Sequence, residues 1–376
     1  MSDFIYLNNG ATSFPKAPGV SKAVAASIDS RPGAAGRGGF EHFDVFAAVR
    51  ESVSGFLGVR NPECIALGCN ATWALNLALF GYPLSKGDCI LTTKSEHNST
   101  IRPLYDIERR GLASVVYCDV DATGRIDTDE WAKLINEHRP KLAVFTHASN
   151  VTGAVNDVAE LTRLAKTVGA DVLLDASQTC GWIDILGYSW NVDMIVFTGH
   201  KYLLGPQGTG GLYVRPGLSL SPYLIGGTGS HSDLPTMPED MPTHLEAGTG
   251  NEPSYHGLLA ALKWLEENPF NKGEVDMLLN RLRTGLINAG ADVIVPDGLC
   301  TPVVSFTISN QENAHVAYIL EQAYDIVCRV GLHCAPLIFE NLNKSGGTVR
   351  LSLSRFTTFE EVEVVIGAVE DIVNEV

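Results

Sequence analysis

Met194-Ile195-Val196-Phe197-Thr198-Gly199-His200-Lys201 decides how this chain is read. Its first five residues carry no charge and include three β-branched side chains, which suits a strand buried on both faces. A glycine follows, and then a lysine just past the strand's C-terminal end. Working outward, comparable runs stand at Cys89–Thr93, Ser114–Asp119, Lys141–His147, Asp171–Asp175 and Gly211–Val214. Amphipathic stretches separate them. From Asn156 to Gly169, Val158, Leu161, Ala165 and Val168 share one face, Asp157 and Glu160 favour the N-terminus, and Gly169 can close the helix. This alternation predicts an α/β fold, a mostly parallel sheet with helices on both sides.

After about residue 250 the pattern changes. Helices are expected near Tyr255–Asn268 and Glu274–Ala289, with strands near Val303–Ile308 and Val349–Leu353. Thr358 and Glu361 suit a capping box for a last helix, whose apolar stripe is Phe359, Val362, Ile366, Val369 and Val373. These elements predict a second, smaller α+β domain. The Gly- and Pro-rich stretch from Gly226 to Pro242 reads as a long surface loop.

The 376 residues are 45% apolar and 19% charged, which excludes disorder as the main state. Acidic residues outnumber basic ones 43 to 27, for a net charge of −16. Such a chain is repelled by nucleic acid and by anionic membranes, so neither is expected as a partner. No apolar run reaches the ~18 residues of a membrane span, and Met1-Ser2-Asp3-Phe4 has no signal-peptide character. The eight cysteines form no C-x-x-C pair, the pattern of reduced thiols, so the cytoplasm is the expected compartment.

The chemistry centres on Lys201 and Asp175, the latter ending the preceding strand in Leu173-Leu174-Asp175-Ala176-Ser177-Gln178. A lone lysine is most often a solvated one, and a lone strand-end aspartate a turn carboxylate. Together, at the C-terminal ends of neighbouring strands, they are what pyridoxal phosphate chemistry needs: a Schiff-base lysine and a carboxylate for the pyridinium nitrogen. Gln178 can donate to the ring's phenolic oxygen. Asn70-Ala71-Thr72-Trp73 reads as a first helical turn, where free amides and the helix dipole favour a phosphate, and Thr198 offers another hydroxyl. His97, after the Cys89–Thr93 strand, can cover the ring, although a histidine so placed is more often structural. Gly205–Gly211 matches neither a P-loop nor G-x-G-x-x-G. No H-E-x-x-H or paired-cysteine metal motif and no G-x-S-x-G elbow is present, and no metal site is expected.

Several blocks in order resemble the cysteine desulfurases and selenocysteine lyases of the class V aminotransferase group, among the fold-type I pyridoxal phosphate enzymes. They are Tyr6-Leu7-Asn8-Asn9-Gly10-Ala11-Thr12, Gly36-Arg37-Gly38-Gly39, His147-Ala148-Ser149-Asn150-Val151-Thr152-Gly153, Thr198-Gly199-His200-Lys201 and Glu246-Ala247-Gly248-Thr249-Gly250-Asn251. The resemblance implies a seven-stranded large domain over residues 16–253, and a small domain of residues 1–15 and 254–376 carrying Cys334 and Arg350. It assigns Lys201 to the cofactor's aldehyde carbon, Asp175 to its ring nitrogen, Gln178 to its phenolic oxygen and His97 to its ring face. Ala71, Thr72, Thr198 and His200 would hold the phosphate, and Asn150 would sit beside the ring oxygen and the substrate carboxylate. Thr249 would reach the phosphate of the other subunit, which implies a homodimer.

Arg329-Val330-Gly331-Leu332-His333-Cys334-Ala335-Pro336 looks like the Suf-type segment whose cysteine accepts sulfur. In isolation Cys334 would be one more thiol among eight. In this segment it would attack the substrate's sulfur as a thiolate, aided by Arg329 or His333, leaving alanine and a persulfide. Arg350 matches the arginine that clamps the α-carboxylate as a guanidinium fork, and Arg329 is a further substrate contact. Three positions depart from the Suf-type pattern: Asn70-Ala71-Thr72-Trp73 replaces Gly-Thr-Thr-Glu, Asn98 replaces a second histidine, and Asp175-Ala176-Ser177-Gln178 replaces Asp-Gly-Ala-Gln. One hydroxyl contact to the phosphate is therefore missing, to be made good by backbone amides or Thr198. The implied reaction is desulfuration of L-cysteine, or of L-selenocysteine, with a sulfur-acceptor protein as a further partner. Two other readings stand beside it: a C–S lyase or related enzyme on this scaffold that does not use Cys334, and a non-catalytic binding protein of the same fold.

Overall fold

The computed structural model describes residues 4–30, 43–269 and 271–374. The Gly36–Gly39 block lies outside the described residues. A seven-stranded sheet organises the larger part, in the order Ile65–Gly68, Gly210–Val214, Met194–Thr198, Asp171–Asp175, Leu142–Thr146, Cys89–Thr93, Ser114–Cys118. The last five run parallel, and Gly210–Val214 runs against both of its neighbours. The predicted strands are present, each within a residue of its expected ends. Ile65–Gly68 was not anticipated: four residues leading into a glycine carry too little pattern, and pairing with Gly210–Val214 supplies what propensity does not.

Successive side chains point to opposite faces of a strand, and the core divides accordingly. Ala143, Phe145, Val172, Leu174, Ile195 and Phe197 pack on one side of the sheet. Leu142, Val144, Leu173, Met194 and Val196 pack on the other, against Leu75, Leu79 and Leu104 of the helices Ala71–Gly81 and Asn98–Arg109. The helix Val158–Lys166 buries Val158, Leu161 and Ala165, and Asp157 caps it by accepting from the Glu160 amide at 3.1 Å.

A second, antiparallel sheet has the order Arg329–Gly331, Thr348–Ser352, Val303–Thr307, Asp292–Ile294. Helices Lys272–Asn288, Asn313–Tyr324 and Phe359–Asn374 share its apolar core. The N-terminal segment joins this part: Ile5–Tyr6 pairs in parallel with Ile326–Val327, and Asn8 bridges to Ser352. Two expectations differ from the structure. The small domain is expected to resume at residue 254, yet helix Glu252–Glu267 packs Leu258, Leu262 and Leu265 into the large-sheet core, because its apolar stripe meets helices Val20–Asp29 and Val45–Leu57. Phe359 was placed in the last helix's apolar stripe and is exposed, since it starts the first turn beside the Thr358–Glu361 capping box. The box itself forms: the Thr358 amide donates to Glu361 at 2.9 Å, and the Glu361 amide to Thr358 Oγ1 at 3.2 Å. Between Val214 and the 3₁₀ turn at Thr243–Leu245 there is no helix or strand.

Candidate active site

The five parallel strands deliver their following residues to one edge. The strand order reverses there: Ser114–Cys118 lies on one side of Cys89–Thr93, and Leu142–Thr146 on the other. Ligands bind at such switch points. A cleft of about 730 Å³ opens at this edge. It brings together Ala71, Thr72, His97, Asn150, Asp175, Gln178, Thr198, His200, Lys201, Arg329 and Arg350. It also holds residues that were not singled out, among them Gly10, Ser99, Thr146 and Ser177. Gly10 and Ser177 stood within quoted blocks, whereas nothing in the sequence marked Ser99.

Lys201 Nζ makes no hydrogen bond or ion pair among the described residues. Burial lowers its pKa to about 8, with Arg350 and Arg329 adding to the effect and Asp175 opposing it. Asp175 is buried, and its Oδ1 accepts from the Ser177 amide at 2.9 Å and from the Ser177 hydroxyl. Gln178 Nε2 donates one hydrogen to the Gly10 carbonyl at 3.0 Å, while Gln178 Oε1 is buried with no partner among the described residues. Asn70 caps the helix Ala71–Gly81, its Oδ1 accepting from the Trp73 amide at 2.9 Å. The amides of Ala71 and Thr72 have no acceptor among the described residues, so this helix start is free to meet an anion. Thr198 Oγ1 donates to the Thr209 carbonyl at 3.4 Å, and His200 Nδ1 is buried without a partner.

His97 caps the helix Asn98–Arg109. Its Nδ1 accepts from the Ser99 amide at 3.0 Å, which places the proton of the neutral ring on Nε2. Ser99 Oγ also lies 2.9 Å from His97 Nδ1 and 2.7 Å from Thr72 Oγ1. Burial first, then the cations Lys201, Arg329, Arg350 and Arg102, lower the His97 pKa to about 3. The ring is therefore uncharged near neutral pH.

The opposite wall comes from the small sheet, where Arg329 and Arg350 are cross-strand partners. Arg350 is fully buried; it donates to the Asn150 carbonyl at 2.7 Å and to Asn8 Oδ1 at 3.3 Å, and its Nε has no partner among the described residues. Among the described residues no carboxylate pairs with it. Burial and the Arg329 charge lower its pKa to about 10. Two guanidinium groups facing each other without a counter-ion are costly, and a bound carboxylate offsets that cost.

Cys334 sits at the edge of this wall, and its Sγ accepts from Arg329 Nη2 at 3.0 Å. Its carbonyl accepts from the Asn98 amide at 2.6 Å. His333 and Cys334 have φ of 48° and 59°, two consecutive left-handed residues without glycine. His333 is buried, bonded through Nε2 to Thr348 Oγ1 at 2.8 Å, and its carbonyl accepts from Asn150 Nδ2 at 2.8 Å. Burial, with Arg350 and Arg329, lowers the His333 pKa to about 2. Of the two groups expected to aid the thiol, only Arg329 is a cation. Cys334 itself lines a second, outer cleft that shares Thr72, His97 and Ser99 with the first. Thr249 is exposed and is not among the residues lining either cleft. Among the described residues, no group of three or more His, Cys, Asp or Glu could hold a metal ion, and no helix is long and apolar enough to cross a membrane.

A lysine and a carboxylate at neighbouring strand ends, facing an open helix start, place this molecule among the enzymes of fold type I. More narrowly, the chain belongs to the aminotransferase class-V family, whose model matches residues 5–365. It is 30% identical to a probable cysteine desulfurase of Methanothermobacter thermautotrophicus, covering 99% of this chain and 95% of that protein. A cysteine desulfurase structure from Thermococcus onnurineus, in its apo form, superposes with a TM-score of 0.89 at 29% identity, covering 100% and 96% of the two chains. One from Escherichia coli superposes with a TM-score of 0.87 at 26% identity, covering 99% and 95%.

Proposed function

We propose that this enzyme is a pyridoxal phosphate-dependent cysteine desulfurase that converts L-cysteine to L-alanine and receives the sulfur on Cys334. The observation that carries the reading is the Arg329–Cys334 contact. It sets a thiol, held by a guanidinium at 3.0 Å, at the rim of the cleft that holds Lys201 and Arg350. The residues present fit the cofactor. The unfilled amides of Ala71 and Thr72, with Thr72, Thr198 and His200, suit its phosphate. Gln178, with an N–H to spare, suits the phenolic oxygen, Asp175 the ring nitrogen and the uncharged His97 the ring face. Lys201, free of any counter-ion contact, suits covalent attachment. Once bound, pyridoxal phosphate supplies the electron sink that makes the substrate's Cα–H bond acidic.

The chain's own residues do the rest. Arg350, with Asn150 beside it, holds the α-carboxylate and so fixes the Cα–H bond in direction. Lys201 Nζ carries the proton from Cα. The Cys334 thiolate attacks the substrate's sulfur, the Cβ–S bond breaks, and the sulfur stays on Cys334 as a persulfide. Cysteine plus thiol gives alanine plus persulfide, so atoms and electrons balance without an oxidant. Arg329 donates to the attacking sulfur and favours its thiolate form. The exposed Thr249 suits a contact with the partner subunit's phosphate in a homodimer. L-selenocysteine is a second substrate on this reading, the cytoplasm is the compartment, and a sulfur-acceptor protein completes the cycle.

The test is a paired one. The purified protein should absorb near ~420 nm, as Schiff bases of this cofactor do, and with L-cysteine and a reductant it should release alanine and sulfide in equal amounts. Cys334→Ser should keep the absorbance and lose both products. Pyruvate and ammonia in place of alanine, persisting in Cys334→Ser, would show a lyase instead.

A further inference from the structure

The outer cleft has no role in the reaction just described. It is open, about 1000 Å³, and begins where the inner cleft ends, with Thr72, His97 and Ser99 common to both. Cys334 lines the outer one. Its carbonyl is pinned to the Asn98 amide at 2.6 Å, so the thiol stands at the divide between the two chambers. A thiol so placed takes sulfur from one side and can release it on the other.

The walls of the outer cleft are not neutral. Arg102, Arg110 and Asp106 line it, all from the helix Asn98–Arg109 and its C-cap. Asp106 is occupied twice, by Arg109 at 2.5 Å and by Arg110 at 2.6 Å. Arg110 also lies over the Phe80 ring at 5.5 Å, and Phe80 stacks on Tyr223 at 5.8 Å. Arg102 is the residue left over. It is exposed, makes no hydrogen bond or ion pair among the described residues, and lies close enough to His97 to oppose its protonation. In a chain of net charge −16, an uncommitted arginine lining the same cleft as the thiol is a local exception.

We propose that the outer cleft receives the thiol of the sulfur-acceptor protein together with a carboxylate beside it, with Arg102 as the anchor for that carboxylate. The acceptor's sulfur, as thiolate, attacks the outer sulfur of the Cys334 persulfide. The S–S bond breaks, Cys334 leaves as thiolate, and the acceptor departs as its own persulfide. One sulfane sulfur moves and no net oxidation occurs. The inference rests on Cys334 being the sulfur carrier, and it adds the chemical class of what empties that carrier.

The experiment separates the two ideas. The holoenzyme is given one equivalent of labelled L-cysteine without reductant, and alanine and Cys334-bound sulfur are counted. The loaded enzyme is then mixed with 3-mercaptopropionate, 2-mercaptoethanol or cysteamine, and the rate of sulfur release is followed. Each rate is divided by that of Arg102→Gln, so that the thiol's own reactivity cancels. The anionic thiol should discharge wild type about tenfold faster than the variant, the neutral thiol equally, and the cationic thiol more slowly; tenfold corresponds to ~1.4 kcal/mol, the scale of one charge-assisted hydrogen bond. Arg102→Lys should restore most of the preference, which a merely structural role would not predict. If no sulfur stays on Cys334, the desulfurase reading and this inference both fall. If sulfur stays but all three ratios are equal, Arg102 has no part in acceptor binding and this inference alone falls.

Discussion

The two walls of the cleft are built in opposite ways. On the large-sheet wall, Asp175, His97 and Gln178 each engage a neighbouring amide, hydroxyl or carbonyl, and each stands at or shortly after the end of a parallel strand. On the small-sheet wall, Arg329 faces Arg350 across two antiparallel strands, and the chain then passes through two left-handed residues to reach its thiol. The first wall is braced by its own hydrogen bonds, and only a few of its groups, Gln178 Oε1 and His200 Nδ1 among them, find no partner among the described residues. The second carries uncompensated charge and backbone strain of roughly 1 kcal/mol or more per residue, which the rest of the fold must over-determine. On the proposed reading, recognition of the cofactor belongs to the first wall and sulfur chemistry to the strained one.

Lys201→Ala should break the comparison altogether, because both walls work on what the lysine holds. Turnover should fall by more than ~10³-fold, with the ~420 nm band absent; a variant that keeps the band would remove Lys201 from its role. Arg350→Gln should damage only the second wall. Its kcat/KM for L-cysteine should fall roughly 10²–10³-fold with the cofactor spectrum unchanged, as expected for a lost charge-assisted clamp. An unchanged KM and kcat would mean that the carboxylate is held elsewhere.

Titration sharpens the contrast further. Because burial depresses the Lys201 pKa to about 8, its free amine predominates above that pH. Loading of the cofactor-free protein should accelerate with rising pH through a midpoint near 8; a midpoint near 10.5 would show an ordinary solvated lysine. The buried histidines act in the other direction on stability. His97, His147, His200 and His333 have pKa values lowered to about 3, 4, 4 and 2. The unfolded chain therefore binds more protons below about pH 6.5, and the melting temperature should decline as pH drops beneath that value. Thr358→Ala, far from either wall, should cost only ~1 kcal/mol through its lost cap and lower the melting temperature by roughly 2 °C. Activity per folded molecule should stay the same.

What could be read from residues alone divides along the same line. The parallel strands were legible because a strand buried on both faces leaves an uninterrupted apolar run, as Met194–Thr198 does, and Lys201 and Asp175 follow from where such runs end. The inward side chains of the small sheet are legible only through resemblance. Nothing local in Arg329–Cys334 announces that two non-glycine residues will turn left-handed, or that His333 will be drawn inward and lose its charge, because both follow from long-range contacts with Thr348 and Asn150. The edge strand Ile65–Gly68 escaped for a related reason, since its partner lies nearly 150 residues away (Ala66 beside Leu212). Thr249 is a different case: its expected contact lies on another molecule.

The pairing of Ile5–Tyr6 with Ile326–Val327, together with the bridge from Asn8 to Ser352, sets a timetable for synthesis. The segment that brings Gly10 to the cleft and Asn8 to Arg350 has nothing to pair with until Ile326–Val327 and Ser352 have been made. The large sheet can assemble while translation continues, but the clamp cannot. A nascent chain halted before Thr348 would therefore carry the Lys201 wall of the cleft without the Arg350 wall that faces it.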